Sequence, residues 1–277
     1  MSDQAISRDP QFLITKEYRR FAEFCDACCR YRYIGICYGA PGVGKTLSAW
    51  HYTYWDLFDP FLATYRLPAS LPGGIEALPE EVKRSRTLLY TATVVNGATV
   101  VAYDLGGLLE KMNRLIDDVQ EVFQGKKIQL PAPNYIELVI VDEADRLKIG
   151  GLEQLRDMYD HFHFGVVLIG IPGLEKRLAR YPQLYSRVGF VHHFRPLSAD
   201  EAHFILEHKW KQLGVSLQAD DFTDAEAAAT VIRITGGNFR LIQRLCTQIE
   251  RILQINELHT ITKEVVEAAR EHLVIGS

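Results

Sequence analysis

The segment Gly39-Ala40-Pro41-Gly42-Val43-Gly44-Lys45-Thr46 constrains the fold of this 277-residue chain more than any other stretch. It fits the pattern G-x-x-x-x-G-K-[ST]. The apolar run Tyr33 to Tyr38 stands before it, and Leu47 to Tyr52 reads as the start of a helix. Strand, loop and helix in that order predict a βα unit whose glycines turn backbone N–H groups inward at a helix N-terminus. There both the amides and the helix dipole favour a bound anion. Lys45 would reach the β- and γ-phosphates of a nucleoside triphosphate. Thr46 would offer its hydroxyl to the magnesium ion that bridges them. Gly39, Ala40, Pro41, Gly42, Val43, Gly44, Lys45 and Thr46 are therefore the expected ATP-binding residues.

The run Glu137-Leu138-Val139-Ile140-Val141-Asp142-Glu143-Ala144-Asp145-Arg146-Leu147 supplies the second half of such a site, as an apolar strand that ends in carboxylates. Successive strand residues face opposite sides, so the two acids can take different tasks. Asp142 is expected to hold Mg2+ and Glu143 to orient the attacking water. The letters D-E-A-D also occur in a class of RNA helicases. Those need two tandem nucleotide-binding domains, whereas this chain has one phosphate loop and too few residues for a second.

A net charge of −4 and a pI near 6.1 argue against a broadly basic, nucleic-acid-binding surface, so any such contact must come from local patches. Candidates are Lys83-Arg84-Ser85-Arg86, then Lys111 and Arg114 on an expected helix, and Lys126-Lys127 in a loop. No apolar run approaches the roughly 18 to 20 residues that span a bilayer, and the N-terminal stretch lacks the apolar centre of a signal peptide. A cytoplasmic protein without a membrane partner is expected. Five cysteines, odd in number, do not suggest a disulfide framework. Cys25, Cys28 and Cys29 lie at i, i+3, i+4 on a helical pattern with no second ligand pair at zinc spacing, which favours core cysteines.

Alternating strand and helix signals predict an α/β fold, with a parallel sheet covered by helices on both faces. Strands are expected at Ile34 to Tyr38, Arg86 to Val95, Leu138 to Val141, Gly165 to Gly170 and Gly189 to Phe194. Helices are expected at Leu47 to Phe58, Leu105 to Phe123, Asp145 to His161 and Gly173 to Tyr181. The Pro- and Gly-rich segment 59–86 reads as an insertion, and Val95 to Val101 as a loop. From Ala199 onward only helical signals remain: Ala199 to Leu213, Thr223 to Thr235, Phe239 to Ile255 and Thr262 to Leu273. The expected organisation is an N-terminal tail (1–16), a nucleotide-binding core (17–196) and a helical lid (197–277).

Across roughly residues 17 to 270 the chain resembles the AAA+ ATPases, and within them the transposition regulators of the TnsC, TniB and MuB type. The resemblance rests on the phosphate loop, the Val-Asp-Glu-Ala-Asp-Arg-Leu motif, Tyr185-Ser186-Arg187 before the last strand, and Gly236-Gly237-Asn238-Phe239-Arg240 in the lid. It implies a P-loop core of αβα sandwich type and a C-terminal helical lid. Arg187 would reach into a neighbouring subunit's site, with Arg177 and Arg180 as competitors, and Arg240 would read the nucleotide bound to its own subunit. A fixed guanidinium suits charge spreading over a transferred phosphoryl group.

In function, the resemblance implies a bacterial ATPase that assembles with ATP on double-stranded DNA, as a hexameric or heptameric ring or a helical filament. Such a protein recruits or activates a transposase, together with a target-selection protein, and hydrolysis dismantles the assembly. DNA contacts would be sequence-tolerant and weakened by salt. They are expected at Thr99 in the nearly uncharged loop Val95 to Val101, and at Lys111, Arg114, Lys126 and Lys127. The chain departs from the family where Gly170-Ile171-Pro172-Gly173 replaces the polar residue that senses the γ-phosphate, so slow hydrolysis is expected. Thr91 and Thr93 are further candidates for positioning Glu143. Two other readings stay open: a nucleotide-switched protein-interaction ATPase that binds no DNA, and an initiator or helicase-loader ATPase.

Overall fold

A computed structural model describes residues 12–58, 80–124, 134–212 and 222–273. The insertion residues 59–79, the loop lysines Lys126 and Lys127, residues 1–11 of the tail and the end 274–277 lie outside the described residues. The described chain groups into two compact units. One contains Arg20–Pro41 and Lys45–Phe194; the other draws on Met1–Arg19, Gly42–Gly44 and Arg195–Ser277.

The first unit is a parallel five-stranded sheet. Its strands are β1 (Ile34–Tyr38), β2 (Thr87–Thr91), β3 (Leu138–Asp142), β4 (Gly165–Gly170) and β5 (Val188–His193), in the order β2-β3-β4-β1-β5. Every residue of β3 and β4 is buried, the pattern of central parallel strands covered on both faces. Helices α1 (Lys16–Tyr31), α2 (Lys45–Tyr52), α3 (Glu80–Arg84), α4 (Ala98–Gln124), α5 (Ile149–Phe162), α6 (Leu174–Leu178) and α7 (Pro182–Tyr185) alternate with the strands. This topology brings the C-terminal ends of β1 and β3 to one edge of the sheet, with β4 between them. Ligands bind at that edge in open α/β folds.

Close backbone approach explains two of the sheet's glycines. A Cβ on Gly165 would lie 2.4 Å from the Cys28 carbonyl oxygen, and one on Gly39, just past β1, would lie 2.2 Å from that of Phe194. Cys25 and Cys28 are buried, and burial pushes the Cys28 thiol up to about 12. Cys29 is only half-buried, with its sulfur 3.9 Å from Glu137 Oε2. Among the described residues there is no group of three or more His, Cys, Asp or Glu that could hold a metal ion.

The second unit holds α8 (Ala199–Gln212), α9 (Phe222–Thr235), α10 (Phe239–Ile255) and α11 (Lys263–Glu271). Ile242, Leu245, Cys246, Ile249 and Leu253 recur at helical spacing on α10 and meet Leu206, Trp210, Val231 and Val266 in one apolar core. Asn238 caps α10 by accepting from Leu241 N (3.2 Å), and Thr262 caps α11 by accepting from Val265 N (3.4 Å). The first turn of α1, up to Arg19, belongs to this unit, and there Glu17 is buried, with Oε1 accepting from Arg195 N (3.1 Å) and its own N–H donating to Glu201 Oε1 (3.0 Å).

Several boundaries depart from the sequence reading: the second strand stops at Thr91 instead of Val95, the helix after β4 ends at Leu178 instead of Tyr181, and three further differences bear on the site. The helix after the phosphate loop ends at Tyr52 instead of running to Phe58, and Tyr54 takes a left-handed φ of +53°. Helix α4 begins at Ala98 and so absorbs most of the expected loop Val95 to Val101. The expected helix Asp145 to His161 is split into a 3-10 turn (Ala144–Arg146) and α5.

One side chain accounts for the last two of these differences. Asn96 is fully buried; its amide donates to the carbonyls of Thr93 (2.7 Å) and Arg146 (2.8 Å), and its Oδ1 accepts from Lys148 N (2.8 Å). It closes the turn that starts α4 and holds Lys148 extended, so that α5 starts only at Ile149. Replacing Asn96 by alanine would leave two carbonyls and an N–H without their partner. We expect a loss of about 2–4 kcal/mol, lowering the melting temperature by about 5 °C or more. An unchanged melting temperature would show that the segment is anchored elsewhere.

Candidate functional site

The loop between β1 and α2 adopts the conformation that its glycines permit. Gly42 (φ +81°) and Gly44 (φ +110°) lie in the region closed to most side chains. Lys45 opens α2 and bends back over the loop, its Nζ donating to the carbonyls of Gly39 (2.6 Å) and Ala40 (2.9 Å). Burial pushes the Lys45 ammonium below the ordinary lysine value. Cys37, Asp142, Glu143 and Asp145 act in the opposite sense and favour its charge.

Thr46 and Asp142, 96 positions apart in sequence, meet at this loop, with Thr46 Oγ1 donating to Asp142 Oδ2 over 2.7 Å. The other carboxylate oxygen, Oδ1, accepts from Glu143 N (2.8 Å), which fixes the plane of the group. A hydroxyl and a carboxylate that converge at the start of α2 belong to the hard-oxygen donors that Mg2+ accepts, so these residues fit that ion.

Glu143 takes a left-handed φ of +55°, uncommon outside glycine. Its carboxylate pairs with Arg146 at 3.5 Å, and both side chains are about two-fifths exposed (40% and 42%). A pair this exposed contributes roughly 0–1 kcal/mol, so it does not tie the glutamate down. Thr93 donates to Val95 O (2.7 Å), which engages its hydroxyl within its own loop, and Thr91 is exposed. Asp145 was not singled out from the sequence, yet it lies in this group: its Oδ1 accepts from Ile171 N (3.2 Å) just past β4.

The three arginines proposed to act in trans differ sharply in setting. Arg187 donates through Nε (2.7 Å) and Nη2 (2.8 Å) to the two oxygens of Asp160, and also to the Gln183 carbonyl. The Arg187 guanidinium, helped by Arg156, holds the Asp160 carboxyl below the usual range. Arg177 donates to the carbonyls of Asp145 and Leu147 and so braces the acidic motif. Arg180 is exposed. In the helical unit, which includes Gly42–Gly44, Arg240 is exposed and its backbone N–H donates to Gly42 O (2.9 Å).

Among the described residues the candidate DNA contacts do not form a basic patch; Lys126 and Lys127 lie outside them. Thr99 is exposed on the first turn of α4, Lys111 is half-buried on the same helix, and Arg114 is matched by Glu110 one turn earlier. The run Lys83-Arg84-Ser85-Arg86 is largely occupied internally. Lys83 and Arg84 pair with Glu80, Ser85 is buried, and Arg86 bonds the carbonyls of Lys83 and Ser85. The prominent feature beyond β2 is apolar instead: Val94 is 77% exposed and Val95 71%.

Comparison with known proteins follows the same lines. Residues 29–178 match the family described as an AAA domain. A Staphylococcus aureus protein named "Potential ATP-binding protein" is 46% identical over 288 residues, covering 98% of this chain and 99% of its own length. The Thermotoga maritima RuvB Holliday junction branch migration motor superposes with a TM-score of 0.58 at 16% identity, covering 96% of this chain and 71% of RuvB. The Aeropyrum pernix ORC2 protein gives 0.59 at 14% identity, covering 97% and 72%. Both are similar in fold. No described helix is long and apolar enough to cross a membrane. With the phosphate loop set on a parallel five-stranded sheet, and with a family match over more than half its length, this chain belongs to the AAA domain family.

Proposed function

We propose that the chain is a cytoplasmic bacterial ATPase that assembles on double-stranded DNA in its ATP-bound state and regulates transposition, recruiting or activating a transposase at a target site. The observation that carries the nucleotide half of this reading is the meeting of Thr46 and Asp142 beside Lys45. The name of the Staphylococcus aureus relative supports it as well. For the DNA half, support comes from the resemblance of the motifs and from structural similarity to a branch migration motor and to a Drosophila ORC described as bound to DNA. We take residues 17–196 as the nucleotide-binding core and 197–277 as the lid.

In this reading the loop amides and Lys45 hold the phosphates of ATP, and Thr46 and Asp142 hold Mg2+. The ion would neutralise charge on the β- and γ-phosphates. Glu143 orients a water whose oxygen bonds to the γ-phosphorus as the bond from that phosphorus to the ADP oxygen breaks. The water's proton passes to the Glu143 carboxylate and on to phosphate. Arg187, once released from Asp160, is the residue assigned to the neighbouring subunit's site, and Arg240 is assigned to the nucleotide of its own subunit.

The test is electron microscopy of the protein with DNA of unrelated sequence, in ATP, a slowly hydrolysed analogue, ADP or no nucleotide. Rings or filaments on DNA in the triphosphate states alone are expected. Free particles in every state would favour the second reading, a nucleotide-switched ATPase that docks on protein. The exposed Val94–Val95 tip and the acidic net charge favour that alternative.

A further inference from the structure

We infer that Asp145 supplies the polar group that the end of β4 lacks, accepting a hydrogen bond from the water that attacks the outermost phosphate. The inference rests on the reading of the chain as an ATPase. Strand β4 ends at Gly170, whose carbonyl accepts from Gly39 N (3.3 Å), so this strand end lies against the first residue of the phosphate loop. That place is already filled. A Cβ on Gly170 would lie 2.7 Å from Asp145 Oδ1 and 2.9 Å from Leu174 Cδ2.

Asp145 is held there from two sides. Its Oδ1 accepts from Ile171 N, and its main-chain carbonyl is gripped by Arg177. Its other carboxylate oxygen accepts no hydrogen bond from the described residues. The carboxylate is close enough to Lys45 to favour the lysine's charged form. An ionised carboxylate only accepts hydrogen bonds, so it would repel a phosphate oxygen but can bind the hydrogen of a water placed against phosphorus. Glycine at 170 is then a requirement of the site and not a missing sensor.

The test uses the full chain and reads ATP turnover, affinity for a fluorescent ATP analogue and melting temperature. Asp145→Asn keeps an oxygen for Ile171 N, so a purely structural role predicts no change. We expect kcat to fall by at least about 10-fold, with analogue affinity and melting temperature close to wild type. An unchanged kcat overturns the inference while leaving the ATPase reading intact. Wild-type protein that binds no ATP overturns that reading, and the inference with it. In a second arm, the double variant D145A/G170N moves the polar group from the loop to the strand end. It is expected to turn over ATP faster than D145A; equal rates count against a shared position.

Discussion

Replacing Lys45 by alanine is expected to weaken ATP binding by at least about 100-fold, because two charge-assisted hydrogen bonds to phosphate are each worth about 1.5–3 kcal/mol. The ammonium donates to the loop carbonyls of Gly39 and Ala40, with Asp142, Glu143 and Asp145 as charged neighbours that would be left uncompensated near a triphosphate once the lysine is gone. The fold should survive, since Lys45 lies at the first position of α2 and its two acceptors, Gly39 O and Ala40 O, belong to the loop itself. Titration with a fluorescent ATP analogue beside a melting curve checks both statements. Near-normal affinity in a folded variant would remove the loop from the nucleotide site.

Glu143→Gln is expected to do the opposite, keeping ATP and losing turnover. The amide preserves the size of the side chain but cannot take a proton from water, and that function contributes about 10²–10⁴-fold to rate. The left-handed backbone of Glu143 is set by its neighbours, Asp142 through the Glu143 N–H and Arg146 through the Glu143 carbonyl, and both contacts survive the change. Only the exposed pair with Arg146 weakens, at a cost of roughly 0–1 kcal/mol. ATP should therefore stay bound and any ATP-dependent assembly should persist, visible as particles that no longer dissociate with time. Normal hydrolysis by this variant would falsify the assignment of Glu143.

What was legible in the sequence was local. The phosphate loop declares itself in eight consecutive residues, and the carboxylate strand in a run of apolar letters that ends in acids. The order of the five strands followed from periodicity, and Phe239 to Ile255 matched α10 at both ends, whereas the short helices α3 and α7 were not foreseen. Distance along the chain hid the rest. The break between the 3-10 turn and α5 depends on Asn96, 52 positions from Lys148. Arg187 is legible as a candidate trans-acting arginine, but its partner Asp160, 27 positions away, is not. Asp145 sat in plain view inside the acidic motif. Its significance needed Gly170, which the sequence presents only as a residue without a side chain.

The anchoring of the tip beyond β2 also has a practical meaning. Asn96 carries the hydrogen bonds that fix this segment, whereas Val94 and Val95 stand in solvent. Support and contact are thus written in different letters of one short stretch. Residues 94 and 95 can be rewritten, charged or aromatic for apolar, without disturbing the mount. The exposed surface of the tip is therefore open to re-engineering by two substitutions, on a scaffold that stays the same.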